Sequence, residues 1–199
     1  MRSSRPFSFA FVFVLGALGC GSNNVNSNDD AKRAYLGLDG SIDKAIDLGF
    51  KGFNAAQGAN IPMETTAGAM AGTLTVTGQV DQGVSANKQM RLNIAMSGYS
   101  DVSGFTYDAG TSDAGTALPS LDLSLQGIPT GTLSGSLMGT FQMSGTLSGP
   151  VTLNLTFTGD LEANPDGGTS AGVIRKPGTT HITGTASSPA GTFTVEVTK

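Results

Sequence analysis

LDLSLQGIPTGTLSGSLMGTFQMSGTLSGPVTLNLTFTGDL, residues 121–161, is the stretch whose reading decides the fold. Nearly every odd position is apolar or glycine (Leu123, Leu133, Leu137, Phe141, Leu153, Phe157 among them), and nearly every even position is polar. Side chains of a strand alternate between two faces, so this is the pattern of strands with one dry and one wet side. Fully extended, the stretch would run on the order of 135 Å, so it must fold back on itself. A two-residue turn would swap the parity of the inward residues, whereas an odd-length loop keeps it. The unbroken parity therefore predicts an antiparallel meander with odd-length loops, placed at Ile128-Pro129-Thr130, Met138-Gly139-Thr140 and Ser148-Gly149-Pro150. Gly135 and Gly145 fall on the dry parity, where a missing side chain leaves room for a helix or an apolar ligand to approach.

Working outward, Leu74-Val80 and Met90-Met96 alternate in the same way, as do Thr180-Ala186 and Phe193-Val197. The expected class is mainly β: an antiparallel meander of about eight or nine strands forming a barrel or a sandwich. Before it, Ile42, Ala45, Ile46, Gly49, Phe50 and Phe53 recur at three- and four-residue steps, predicting one amphipathic helix at about 41–57 with Ser41 as its cap. Asp39, Asp43 and Asp47 read as a solvated acidic stripe, with Asp47 and Lys51 spaced to pair. Residues 100–119 read as an Asp-bearing loop.

The N-terminus carries Arg2 and Arg5, an apolar run from Phe7 to Gly19, and then Cys20, the only cysteine. Thirteen residues are too few to span about 30 Å of hydrocarbon, so residues 1–19 are expected to be a removed signal peptide. Residues 21–30, Gly-Ser-Asn-Asn-Val-Asn-Ser-Asn-Asp-Asp, are expected to be a flexible tether, with a single domain over 31–199. Without Arg2 and Arg5 the chain has nine basic against fifteen acidic residues, a formal −6, which disfavours nucleic acid as a partner.

Leu15-Gly-Ala-Leu-Gly-Cys20 resembles the lipobox of bacterial lipoproteins, with Ala17 where that family usually carries leucine. The resemblance implies a diacylglycerol thioether on Cys20 and an acylated N-terminus, hence a membrane anchor. The stretch from Gly52 to Gly83 is similar to uncharacterised lipoproteins of Gram-negative bacteria. Gly21 and Ser22 stand where such proteins carry an aspartate for inner-membrane retention, so the resemblance implies the outer membrane, with a secreted form as the alternative.

No residue constellation calls for a cofactor, metal or reaction. Asp101, Asp108 and Asp113 lack the every-second-residue oxygen ligands and closing glutamate of a calcium loop. Gly168-Thr-Ser170-Ala-Gly172 matches G-x-S-x-G, with His181 downstream, but lies between turn-like segments instead of joining a strand to a helix. Thr152, Asn154, Thr156 and Thr158 would line an outer strand edge able to meet carbohydrate or ordered water. The expected function is a non-catalytic anchored lipoprotein with a structural or surface-interaction domain. The alternatives are a carrier of an apolar ligand, its cavity lined by Leu137, Phe141, Met143, Leu153 and Phe157, and more weakly a Ser170 hydrolase.

Overall fold

In the computed structural model, which describes residues 23–81, 84–110, 117–165 and 172–199, two helices precede ten strands. They are α1 (Asn28–Leu36), α2 (Asp39–Ala55), β1 (Asn60–Ala67), β2 (Ala71–Val80), β3 (Lys88–Ser100), β4 (Phe105–Ala109), β5 (Ser120–Gln126), β6 (Thr132–Gly145), β7 (Gly149–Ala163), β8 (Val173–Arg175), β9 (His181–Ser188) and β10 (Gly191–Thr198). All pairings are antiparallel, and the sheet runs β1-β2-β3-β4-β6-β7-β9-β10. The short strand β5 shares with β4 the slot between β3 and β6, while β8 continues the β9 slot along β7. The mainly β, antiparallel meander expected from the alternation is what forms.

The parity rule holds where it was derived. Leu125 pairs with Leu133 and Phe141 with Val151, so odd faces odd across both turns. One expected turn is absent: Met138-Gly139-Thr140 lies inside β6, which runs unbroken for 14 residues. Gly139 is needed there for close approach instead, because a Cβ on it would lie 2.5 Å from Pro119 Cα. Likewise β7 already begins at Gly149, so the second turn is centred on Thr146. At Gly135 the space a side chain would take is filled by Asp122 and Leu123 of β5, not by a helix or ligand.

Residues 100–119 are not all loop. Phe105, Tyr107 and Ala109 alternate in β4, and Tyr107 is fully buried with its hydroxyl donating to Ala34 O at 2.8 Å. The helical preface is also larger than one helix. Ser27 caps α1 by accepting from Asp30 N–H at 3.1 Å, and Asp29 and Asp30 sit in its electropositive first turn. Ala31, Ala34, Tyr35 and Leu38 bury the face that α1 and its exit turn present to the sheet. Ser41 is not a cap: it lies inside α2, and its hydroxyl donates to Leu38 O at 2.6 Å. The described part of the expected tether is built into the fold: Val25 is only 1% exposed, and Asn28 to Asp30 open α1.

Among the described residues no ladder joins β1 to β10. Instead α1 packs on β10, where Thr194 N–H donates to Asn28 Oδ1 at 2.9 Å, and α2 packs on β1 and β2. The helical pair thus covers both edges that would otherwise offer unpaired backbone groups. Pro62 within β1 and Lys44 Nζ on Ala67 O (3.1 Å) blunt that edge further.

Candidate functional site

The five residues expected to line a cavity, Leu137, Phe141, Met143, Leu153 and Phe157, come from β6 and β7 and share the inward face. Each is at most 2% exposed and belongs to one continuous core with Tyr35, Ile42 and Ile46 from the helices and Leu38 from the turn between them. The Tyr35 and Phe157 rings meet with centroids 6.2 Å apart, tilted by 45°. Helix side chains therefore stand where a ligand carried on this face would sit. Burying each such side chain contributes roughly 1.5–3 kcal/mol, which makes this contact a main source of stability.

Polar chemistry gathers at the start of α2. Arg175, ending β8, is 8% exposed and would be costly there without partners. Its Nε and Nη2 donate to the two carboxylate oxygens of Asp43, each at 2.7 Å, while Nη1 donates to Asp39 Oδ1 at 3.0 Å and Nη2 to Asp39 O at 3.1 Å. Tyr35 donates its hydroxyl to Asp39 Oδ1 at 2.6 Å, and Lys199 Nζ lies 3.8 Å from Oδ2. Burial pushes the Tyr35 hydroxyl well above its ordinary pKa, and the Asp39 charge adds to this. Burial works against the charged Arg175, yet Asp43 and Asp39 more than offset it and keep the guanidinium protonated. The acidic stripe is thus solvated only in part: Asp39 is buried, Asp43 keeps 43% of its side chain exposed, and the two together form the receptor for an arginine more than 130 residues away. Lys51, expected on spacing to meet Asp47, also reaches across to β1, its Nζ 2.7 Å from Glu64 Oε2.

Two clefts flank this knot. One, of about 180 Å³, is bordered by Arg175, Lys176, Pro177, Thr180 and Lys199. The Thr180 hydroxyl is buried with no hydrogen-bond partner among the described residues, and a Cβ on Gly159 would come within 2.9 Å of it. The other, of about 190 Å³, lies between α2, β1 and β8 and is lined by Ile46, Leu48, Val173 and Ile174 beneath Asp43, Lys44 and Asp47. Both fall short of the roughly 300–1,000 Å³ of small-molecule sites. Neither includes any of the five residues expected to line a cavity.

The remaining expected sites are dispersed. Asp101 accepts from Lys44 Nζ at 2.5 Å and Ala69 N–H at 2.7 Å on one oxygen and from the Tyr99 hydroxyl on the other, while Asp108 accepts from Gly98 N–H at 2.7 Å. Both carboxylates thus organise turns of the sheet. His181 is exposed, with Nδ1 3.0 Å from Thr198 Oγ1. Thr152, Asn154, Thr156 and Thr158 face outward, and hydroxyls meet across strands at Thr140–Thr152 (2.8 Å) and Thr156–Thr183 (3.1 Å). Cys20, Asp113 and Ser170 lie outside the described residues.

The arginine knot was missed in the sequence because its members are remote in the chain. Its one local signal is an arginine closing a β-branched run, Val173-Ile174-Arg175. No family model matches the chain, and neither does any curated protein or solved structure.

Proposed function

We propose that this protein is a lipid-anchored component of the outer membrane, held through Cys20, whose β domain has a structural or surface-interaction role and not a catalytic one. The observation that supports this best is the filled interior: Tyr35 covers Phe157, and the inward residues of β6 and β7 pack on α1 and α2. A carrier would need that space for cargo. Its outer surface is then what remains for partners, and the hydroxyl-bearing strands β6, β7, β9 and β10 offer hydrogen bonds with little charge.

Intact mass of protein purified from membranes, under native and then denaturing conditions, tests both halves. The expected result is a polypeptide starting at Cys20 with added acyl mass that survives denaturation, lost in Cys20→Ser, and no further mass that denaturation removes. Mass released on denaturation would replace this reading with a carrier. An unmodified Cys20 would remove the anchor.

A further inference from the structure

The chain enters the fold three residues after Cys20. Asn23 O accepts from Ser148 N–H at 2.9 Å, and Val25 O accepts from the Ser188 hydroxyl at 2.6 Å. Cys20 can therefore lie no more than about 10 Å from Asn23. The β6–β7 turn holding Asn23 is itself bonded to the β3–β4 turn, Thr146 N–H donating to Gly104 O at 2.7 Å, and Ser188 opens the β9–β10 turn. One rim of the sheet thus surrounds the entry point.

That rim is uncharged. Residues 102–104, 144–149 and 188–192 contain no ionisable side chain, and the adjacent Asp101 is neutralised by Lys44. Val102 is 46% exposed, and Pro189 and Ala190 are also exposed. Asp81, Asp160, Glu162 and Lys176 cluster toward the other ends of the same strands. A strand such as β3, 13 residues long, holds those charges on the order of 40 Å away, several Debye lengths at physiological salt.

We propose that the rim formed by the β3–β4, β6–β7 and β9–β10 turns is a docking surface for the phospholipid bilayer, with Val102, Pro189 and Ala190 meeting the headgroup layer. This rests on the lipidation of Cys20. An acidic protein is repelled by an anionic leaflet, and the fold eases this by leaving the three turns at the anchor uncharged, by pairing the nearby Asp30 with Arg33 and Asp101 with Lys44 so that Asp29 is the exposed carboxylate of the entry segment, and by holding Asp81, Asp160 and Glu162 at the far ends of the strands. The short connection makes the domain close-mounted.

The test uses full-length lipidated protein in phosphatidylethanolamine–phosphatidylglycerol vesicles. A Cys20 sulfur engaged in a thioether does not react with thiol probes, so Val102→Cys, Ala190→Cys and, at the far rim, Thr130→Cys each carry one reactive thiol for an environment-sensitive fluorophore. Lipids bearing a shallow nitroxide are expected to quench emission at 102 and 190 and leave 130 unchanged. Protein that floats with the vesicles while all three labels stay bright would overturn the docked rim and leave the anchor intact. Quenching at 130 alone would overturn it as well. Protein that does not float, with Cys20 unmodified by mass, would overturn the lipidation reading and the rim with it.

Discussion

The two sides of α2 hold the molecule by different physics. Inward, Ile42, Ala45, Ile46 and Phe50 are buried against the sheet by packing that has no preferred partner. Along its flanks, Arg175 on β8 reaches Asp39 and Asp43, Lys44 reaches Asp101 beyond β3, and Lys51 reaches Glu64 on β1. The first side supplies stability roughly in proportion to area; the second decides where β1 and β8, which pair with each other nowhere among the described residues, stand relative to the helix. Packing holds the sheet against α2, and the ion pairs fix where β1 and β8 stand relative to it.

The sharpest way to break the inner side is Ile42→Ala. Ile42 is fully buried, so a loss of about 4 kcal/mol is expected in urea unfolding, from lost transfer energy plus the cavity left behind. The flanks should respond differently. Arg175→Met is expected to cost about 3 kcal/mol, chiefly by leaving the buried Asp39 with only the more distant Lys199 as a cation. Adding Asp39→Asn should then recover most of that loss, which no second substitution would do for Ile42→Ala. If the double variant is as unstable as the single one, the knot contributes stability in its own right, and the division of labour between the two sides falls.

Two glycines of α2 sharpen the comparison at finer scale. A Cβ on Gly52 would lie 2.8 Å from Ile61 Cβ on β1, whereas one on Gly49 would lie 3.3 Å from the flexible Met90 thioether. Helix propensity favours alanine over glycine by about 1 kcal/mol at either position. At Gly52 the clash should exceed that gain and give a net loss of about 1 kcal/mol; at Gly49 the net change should be close to zero or favourable. Equal losses at both sites, measured by thermal unfolding, would mean that α2 cannot shift against β3 any more than against β1.

What the sequence disclosed follows the same divide. Alternation is a consequence of burial on one face, so β2, β3, β5, β6, β7, β9 and β10 were legible wherever one side of a strand is dry. β1 was not, because Pro62 and Met63 lie exposed on an edge and only Ile61 is buried. β4 was hidden by its neighbours: Asp101, Gly104 and Asp108 read as a loop, although Phe105, Tyr107 and Ala109 carry the right spacing. α1 escaped because Asn28, Asp29 and Asp30 dominate its first turn and outweigh the small buried stripe of Ala31 and Ala34. The ion pairs could not be read at all, since Asp39 and Arg175 acquire meaning only after the sheet has curled back to α2. Spacing gave the expectation of a wet acidic stripe, and tertiary placement reversed it at Asp39.

The smallest effect expected concerns a single carboxylate on one flank. Burial pushes the Asp101 carboxyl up, but the Lys44 ammonium, the Tyr99 hydroxyl and the Ala69 N–H together outweigh it and hold the group below the ordinary aspartate value. A carboxyl with a depressed folded-state pKa contributes stability that is fully present above its unfolded value, about 3.9, and is lost as pH falls through the lower folded value. Wild-type protein should therefore lose stability between pH 5 and the acid limit of folding, and Asp101→Asn should start lower at neutral pH but show a shallower decline, which denaturant midpoints collected across that range would reveal. Parallel curves would mean that Lys44, Tyr99 and Ala69 together do no more than offset the burial of Asp101. In that case the β3 flank of α2 would be positioned by the Lys44 contact with Ala67 O and by packing alone, and the ion pairs that place the helix would reduce to those with β1 and β8.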